Sequence, residues 1–356
     1  MVEKGELLNS LEEHLLSHMV LIDGRYGSRL LVQRRGIAQG SIVSSLLCNF
    51  YYCDMEKRLL ANTGLLNENG VVQRSDRHLL VRIVDDFLLI STDPVISHNF
   101  VQRMWDGDSE FGVCINKAKT LTSFSALLVN SCGGEELLEN GTIKLESGIN
   151  VFPWCGLLFD TSTGEVGIDY SRFANQKAID GLTIDRTGKE GKLFEIRMKS
   201  FVRPRCQALL FDPQINGPEV IRINFYQMML LSAIKTGEYL RKGLRGGVGK
   251  NPHFVVRCID ALVSYAHSLI TARLGTERIE RMGFLGKREC DFLCLDAFHH
   301  VFHTMMVSDT DFNCTIVVGL LRQRILTSSL KDCDLPNLIS RSRSQFDLAN
   351  LKNVIA

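Results

Sequence analysis

Residues 79–92 read LLVRIVDDFLLIST: two almost wholly apolar runs with Asp85 and Asp86 side by side between them. Successive side chains of a strand point to opposite faces, so two neighbouring Asp inside one strand would face opposite ways. Only a turn presents both carboxylates on one side. The stretch therefore predicts a tight hairpin with Val84, Asp85, Asp86 and Phe87 at its tip. Two carboxylates exposed together repel each other and favour a hard cation, ideally Mg2+, which prefers oxygen ligands and substrate phosphates. Asp is equally at home in an ordinary turn, so the weight of the pair depends on its neighbours.

Two other segments supply such neighbours. RRGIAQGSIVSSLLCNFYYCDMEKRL, residues 34–59, reads as a glycine-punctuated loop running into a buried helix that opens near Ser41 as N-cap. Gly36 and Gly40 let backbone approach a ligand, Gln39 offers an amide beside them, and the helix start presents free N–H groups to an anion. In EFGVCINKAKTLTSF, residues 110–124, the stretch VCINKAKTLTSF reads as a strand with a basic end. From there Lys119 can reach the phosphates of a nucleotide held at the acidic tip, as counter-charge or as proton donor to the leaving group.

At 356 residues, 45% hydrophobic and 23% charged, the chain suits two packed globular units. No apolar run comes near the roughly 20 residues that span a bilayer. The acidic, amphipathic start MVEKGELLNSLEEHLL is unlike a signal peptide. Eleven cysteines without a regular framework imply a reducing compartment and free thiols in cores. The pattern is α+β to residue 170: a helix over NFVQRMWDGDSEFG stopped by Gly112, then an apolar hairpin at 151–170. Beyond it, from 171 to 356, the periodicity is helical, in KLFEIRMKSFV, EVIRINFYQMMLLSAIKTGEYLRKGL, FVVRCIDALVSYAHSLITARL and CDFLCLDAFHHVFHTMM. Between Ser171 and Cys290, 21 Lys and Arg stand against 11 Asp and Glu, although the whole chain is at +1. That local excess suits a polyanion, with a solvated helical surface as the plainer reading. His299, His300 and His303 sit at helical spacing near Cys290 and Cys294, but without a HExxH glutamate they read as core and surface residues.

In this order the pieces resemble the palm of a reverse transcriptase, and specifically the telomerase reverse transcriptase family. QGS followed by LLC and DME, VDDF followed by LL, INKAKT, and FPWCGLLFD at 152–160 carry the resemblance, and FVRPRCQALLFDPQIN and KNPHF extend it into a helical thumb. The resemblance implies an α+β fold: a partial reverse-transcriptase palm of antiparallel sheet plus helices over 1–170, then an all-α thumb over 171–356. It implies an RNA-directed DNA polymerase that extends chromosome 3′ ends with telomeric repeats by two-metal nucleotidyl transfer. Asp85, with Asp86 beside it, would hold Mg2+, and Gly36, Gln39 and Gly40 would position the dNTP and template base. Lys119 would sit near the triphosphate, and Trp154, Cys155 and Gly156 would grip the primer. Arg186, Lys189, Lys192, Arg197 and Lys199 suit the phosphates of a short hybrid.

The implied partners are telomerase RNA, a telomeric DNA 3′ end, dNTPs and upstream domains of the same protein, in a nuclear ribonucleoprotein at telomeres, with no membrane. Two departures stand out. Ala38 replaces the usual proline of the loop. The family's further catalytic Asp has no counterpart, since Asp23 in LIDGRYGS reads as part of a turn. The chain is therefore expected to be the C-terminal part of a longer protein, inactive alone and prone to aggregate along an unpaired strand edge. A mobile-element reverse transcriptase fits less well. The alternative from another class is a fragment or alternative product that binds nucleic acid without catalysis.

Overall fold

The computed structural model describes residues 3–346 except 25–26, 35, 68, 72–74, 130–132, 146–147, 174–180, 185–186, 244–247, 276–284, 307–313, 329 and 331–334. It divides into two compact units, Met1–Asn140 and Gly141–Ala356.

In the first unit, helix α1 (Lys4–Leu16) precedes an antiparallel hairpin of β1 (Met19–Gly24) and β2 (Gly27–Val32), in which Asp23 pairs with Ser28. Asp23 thus stands in a strand, next to its turn. Helix α2 spans Ser44–Leu59 and opens three residues later than the expected Ser41. The reason is local. Ser41 organises a turn: its hydroxyl accepts from the Val43 N–H at 3.3 Å, and its carbonyl accepts from the Ser44 hydroxyl at 2.7 Å. Nor is α2 buried as expected. Only Met55 and Leu59 are, while Leu46, Phe50 and Tyr51 are exposed.

Strands β3 (His78–Ile83) and β4 (Asp86–Ser91) form the predicted hairpin. Leu80, Phe87 and Leu89 pack with Leu60 and Leu65 against Ile96 and Phe100 of α3 (Pro94–Asp106). Asp93 caps α3, accepting from the Val95 and Ile96 N–H groups at 2.8 and 3.3 Å. The helix stops at Gly107 rather than Gly112: φ there is +66°, and a Cβ would collide with the Val113 carbonyl. The strand expected over 113–124 is replaced by a bridge between Asp108 and Val113 and a 3-10 turn at Lys117–Lys119. The Asn116 side chain accepts from Ala118 N–H at 3.1 Å and closes that turn. Strands β5 (Ala126–Val129) and β6 (Glu135–Leu138) make a third hairpin. Among the described residues the antiparallel structure of this unit consists of separate two-stranded pairs.

The second unit joins a four-stranded antiparallel sheet, ordered β10–β9–β8–β7, to a helical bundle. Its strands are β7 (Ile143–Lys144), β8 (Asn150–Trp154), β9 (Leu157–Asp160) and β10 (Val166–Ile168). The helices are α4 (Glu190–Val202), α5 (Ala208–Phe211), α6 (Pro218–Glu238), α7 (Pro252–Leu274), α8 (Lys287–Met306), α9 (Cys314–Thr327) and α10 (Leu335–Phe346). The hairpin that the sequence places with the palm thus packs with the helices, because β10 is buttoned to them by buried amides. Asn216 accepts from the Val166 N–H at 2.6 Å and donates to the Leu209 carbonyl at 2.9 Å. Asn224 donates to the carbonyls of Val166 and Leu210 at 2.9 and 3.0 Å. Each amide satisfies strand and helix together.

Helix α6 is apolar nearly all round and lies at the centre of one large core with α4, α7, α8 and α9. Helix α7 corrects the reading that no segment could span a bilayer, since 23 residues with few charges meet the length and composition. It is a core helix here, with Val255, Ile259, Leu262, Val263, Ala266 and Ile270 buried. None of the nine described cysteines is bridged; Cys206, Cys258, Cys290, Cys294 and Cys314 are buried, but Cys53, Cys114 and Cys155 are exposed.

Helix α10 is clasped to α6 and α8 by a polar triad. Tyr226 donates to Asp296 at 2.7 Å, and Arg343 reaches the Tyr226 oxygen at 2.9 Å and Asp296 at 2.5 Å. Burial, and then Arg343, push the neighbouring His300 down to about 4 from 6.5. A depressed histidine favours the fold while neutral, so its contribution is present above pH 6.5 and is lost as pH falls through 4. We expect α10 and α8 to lose amide protection progressively from pH 6.5 to 4, with His300→Gln flattening that dependence in hydrogen-exchange mass spectrometry. Arg343→Ala leaves the largely covered Asp296 without its counter-charge. It should cost about 2 kcal/mol, below the figure for a fully buried pair because both side chains are partly solvated.

Candidate active site and nucleic-acid interface

The acidic pair occupies the turn anticipated for it. Ile83 pairs with Asp86, leaving Val84 and Asp85 as a two-residue connection. Val84 has φ +56°, a conformation costly for a β-branched residue, and Val84, Asp85 and Asp86 are all exposed. Something must hold this tip, and Arg82 does. Its guanidinium donates to the Val84 carbonyl at 2.9 Å and the Asn49 side-chain oxygen at 3.2 Å, ion-pairs with Glu56, and lies 4.9 Å from the centre of the Tyr52 ring. Asn49, Tyr52 and Glu56 share one face of α2 at helical spacing. Burial and then the Asp85 charge raise the Tyr52 phenol above its usual range. The sequence reading missed Arg82, whose only signal is a lone charge in an apolar strand two residues before the turn.

The opposite side of α2 holds the segment leading to Lys119. Tyr51 donates to the Phe111 carbonyl at 2.7 Å, and Arg58 pairs with Asp108 at 3.1 Å and with Glu110. Lys117 is engaged by Glu136 at 2.8 Å and lies 4.2 Å from the Trp105 ring centre, whereas Lys119 is exposed. At the N-terminal end of α2, Gly36 and Gly40 have φ +81° and +85°, and Gln39 is exposed between them. His14 of α1 hydrogen-bonds the Ser41 hydroxyl at 2.8 Å. One helix therefore gathers the acidic tip, the glycine–glutamine loop and the Lys119 segment into one unit. Two carboxylates at a turn are hard-oxygen donors that fit a Mg2+ ion. Among the described residues no cluster of three or more His, Cys, Asp or Glu could hold a metal.

The remaining site residues lie in the second unit. Trp154 pairs with Leu157, and Cys155 and Gly156 form the two-residue turn between β8 and β9, at φ +48° and +80°. The Trp154 ring lies 6.4 Å from that of Phe159, tilted by 54°, and its buried indole N–H has no acceptor among the described residues. On α4, Phe194, Met198, Phe201 and Val202 face the core. Lys189 and Lys192 are exposed and Arg197 is half-buried, while Lys199 is tied to Glu195 at 2.6 Å; Arg186 lies outside the described residues. His299 and His303 stack at 5.8 Å on α8.

Residues 192–316 match the family described as telomerase reverse transcriptase, C-terminal extension. The chain is 32% identical over 305 residues to the telomerase reverse transcriptase of Canis lupus familiaris, covering 83% of this chain and 25% of that protein. It is 30% identical over 280 residues to that of Oryza sativa, covering 77% and 21%. This chain belongs to the telomerase reverse transcriptase family. It corresponds to the C-terminal region and spans about a quarter of the length of these relatives. A telomerase from Candida albicans, solved with a fragment of telomeric RNA, shares the fold at TM-score 0.54 and 15% identity, over 90% of this chain and 39% of that one.

If Arg82 holds the tip of this telomerase-family chain, removing it must loosen the tip first. Arg82→Ala is expected to speed amide exchange within residues 83–87 by about tenfold, the effect of losing one to two charge-assisted hydrogen bonds. Arg82→Lys, which keeps the charge but not the fork, should fall between. Unchanged exchange in the alanine variant would show that the turn holds itself.

Proposed function

We propose that this chain supplies the acidic tip, primer grip and thumb of an RNA-directed DNA polymerase that adds telomeric repeats to chromosome 3′ ends. The observation that carries the proposal is the pair Asp85 and Asp86 at an exposed turn, fixed through Arg82 to the helix that follows the Gly36–Gly40 loop. In this reading Asp85 and Asp86 hold Mg2+, which when bound lowers the cost of charge on a reacting 3′-hydroxyl and on a departing pyrophosphate. Gln39 and the backbone at Gly40 orient the dNTP against the template base, and Lys119 offers its ammonium to the triphosphate. The turn at Cys155–Gly156 holds the primer backbone, with Lys189, Lys192 and Arg197 following the hybrid along α4. Lys199 contributes less, because Glu195 already neutralises it.

The proposed partners are telomerase RNA, the telomeric DNA 3′ end, dNTPs and the upstream domains of the same protein, in the nucleus at telomeres. The family membership and the Candida albicans telomerase, solved with a fragment of telomeric RNA, support this reading. A second reading has its own observation. With only two carboxylates grouped among the described residues, the chain would bind a hybrid without extending it.

Primer extension separates the two, using this chain with a short RNA–DNA hybrid, dNTPs and Mg2+ beside Asp85→Ala. The polymerase reading expects incorporation that falls at least about 100-fold in the variant. Hybrid binding without incorporation by either protein would select the non-catalytic reading.

A further inference from the structure

The short 3-10 helix Tyr170–Phe173 follows β10 and lies against the turn at Cys155–Gly156. The Asp169 N–H donates to the Gly156 carbonyl at 2.9 Å and ties the two together. A side chain at Gly156 would collide with the Arg172 guanidinium, so the glycine makes room for it. Arg172 is exposed and forms no hydrogen bond or ion pair with the described residues. The nearest carboxylate in sequence, Asp169, spends one oxygen on the Ser171 N–H at 3.1 Å and the Ser171 hydroxyl at 2.5 Å.

The next residue, Phe173, is bracketed by two more cations. Arg205 lies 5.7 Å and the Lys235 ammonium 6.0 Å from its ring centre. Neither has a carboxylate partner among the described residues; Arg205 donates only to the Phe201 carbonyl, at 3.1 Å. Burial and the Arg205 charge together lower the Lys235 ammonium below its usual range, as expected of a cation held near another without a counter-ion. Elsewhere in this unit, Arg222 is paired with Glu289 at 2.9 Å and Arg324 with Asp260 at 2.6 Å.

We infer that Arg172, backed by Arg205 and Lys235, is a phosphodiester-binding site beside the Cys155–Gly156 turn, and that its ligand is the backbone of the nucleic acid strand held there. A guanidinium beside a turn with glycine at its second position can donate two N–H groups to one phosphate while the backbone at that glycine approaches the adjoining sugar. The inference rests on the proposed function only in taking a primer strand as the ligand.

A double-mutant cycle across the contact tests it. The full chain is titrated with a fluorescein-labelled RNA–DNA hybrid having a recessed DNA 3′ end, by anisotropy over a salt series. A second hybrid carries uncharged methylphosphonates at the last three DNA linkages. Arg172→Gln, at an exposed position, is expected to weaken binding about threefold to tenfold and to flatten the salt slope by about one unit. It should also make the chain indifferent to the methylphosphonates. Lys235→Gln should act in the same direction, and Lys4→Gln, at an exposed position in the other unit, should change neither affinity nor slope. If the Arg172→Gln and methylphosphonate losses simply add, or if Lys4→Gln does as much, the site is overturned while the proposed function stands. Coupling between Arg172 and the terminal linkages, with no primer extension, keeps the site and removes the polymerase reading. No binding of either hybrid by the unaltered chain overturns both.

Discussion

A single guanidinium between a helix and a turn holds the first unit's chemistry in place. Arg82 satisfies the carbonyl of Val84, a residue in a backbone conformation that its branched side chain disfavours, and carries that tip onto Asn49, Tyr52 and Glu56 of α2. Without such a brace, two exposed carboxylates on a two-residue connection would have no fixed direction. With it, the carboxylates inherit the orientation of α2, which also receives the glycine–glutamine loop at one end and anchors the segment before Lys119 through Tyr51 and Arg58. Three stretches far apart in sequence acquire common geometry from one sixteen-residue helix.

The second unit solves a similar problem by burying amides. A small sheet has two edges and little core of its own, so a turn at its end is only as rigid as whatever the sheet leans on. Asn216 and Asn224 bond strand β10 and the carbonyls of the segment around α5 together, inside a region where an unpaired amide would be costly. The Glu165 carboxylate adds a bond to the Gly217 N–H at 2.7 Å, at the start of α6. The Cys155–Gly156 turn is therefore mounted on the bundle whose outer helix, α4, carries the lysines. Turn and basic helix belong to one packed unit.

How much of this was legible in the sequence follows from the range of each interaction. The hairpin at the acidic pair is local: alternation, apolar flanks and two Asp leave few other conformations, and the turn fell where the pattern put it. The long helices of the second unit were legible for the same reason. The start of α2 was not, because Ser41 can cap a helix or close a turn with equal chemistry, and the choice belongs to the Ala38–Ser44 backbone. The end of α3 was missed because two glycines compete, and only the packing of Gly107 against the Val113 carbonyl decides between them. The stretch before Lys119 carries strand-like residues, yet Asn116 closes a turn that no periodicity announces. Arg82, Asn216 and Arg172 were invisible because each acts on a partner 16 or more residues away or across a turn, and one sequence does not show who meets whom.

The two units also differ in how completely they cover themselves. The bundle has one continuous core running from Val166 to Ile339. The first unit has two small clusters, around Phe100 and around Trp105, and leaves β1 and β2 with Leu21, Ile22, Leu30 and Leu31 exposed and Ile42 at 99% exposure. Apolar side chains on both faces of a hairpin cannot be rationalised as a solvated sheet, which would alternate. Since local opening costs least where few apolar contacts are broken, the acidic tip and the glycine–glutamine loop sit on the less stable half of the chain. A ligand that bridges α2 and the β3–β4 turn binds only when that unit is folded, and so would stabilise the first unit by mass action. Arg82 matters for the same reason: in a unit with so little core, one ion pair with two further hydrogen bonds is a large share of what holds the two carboxylates still.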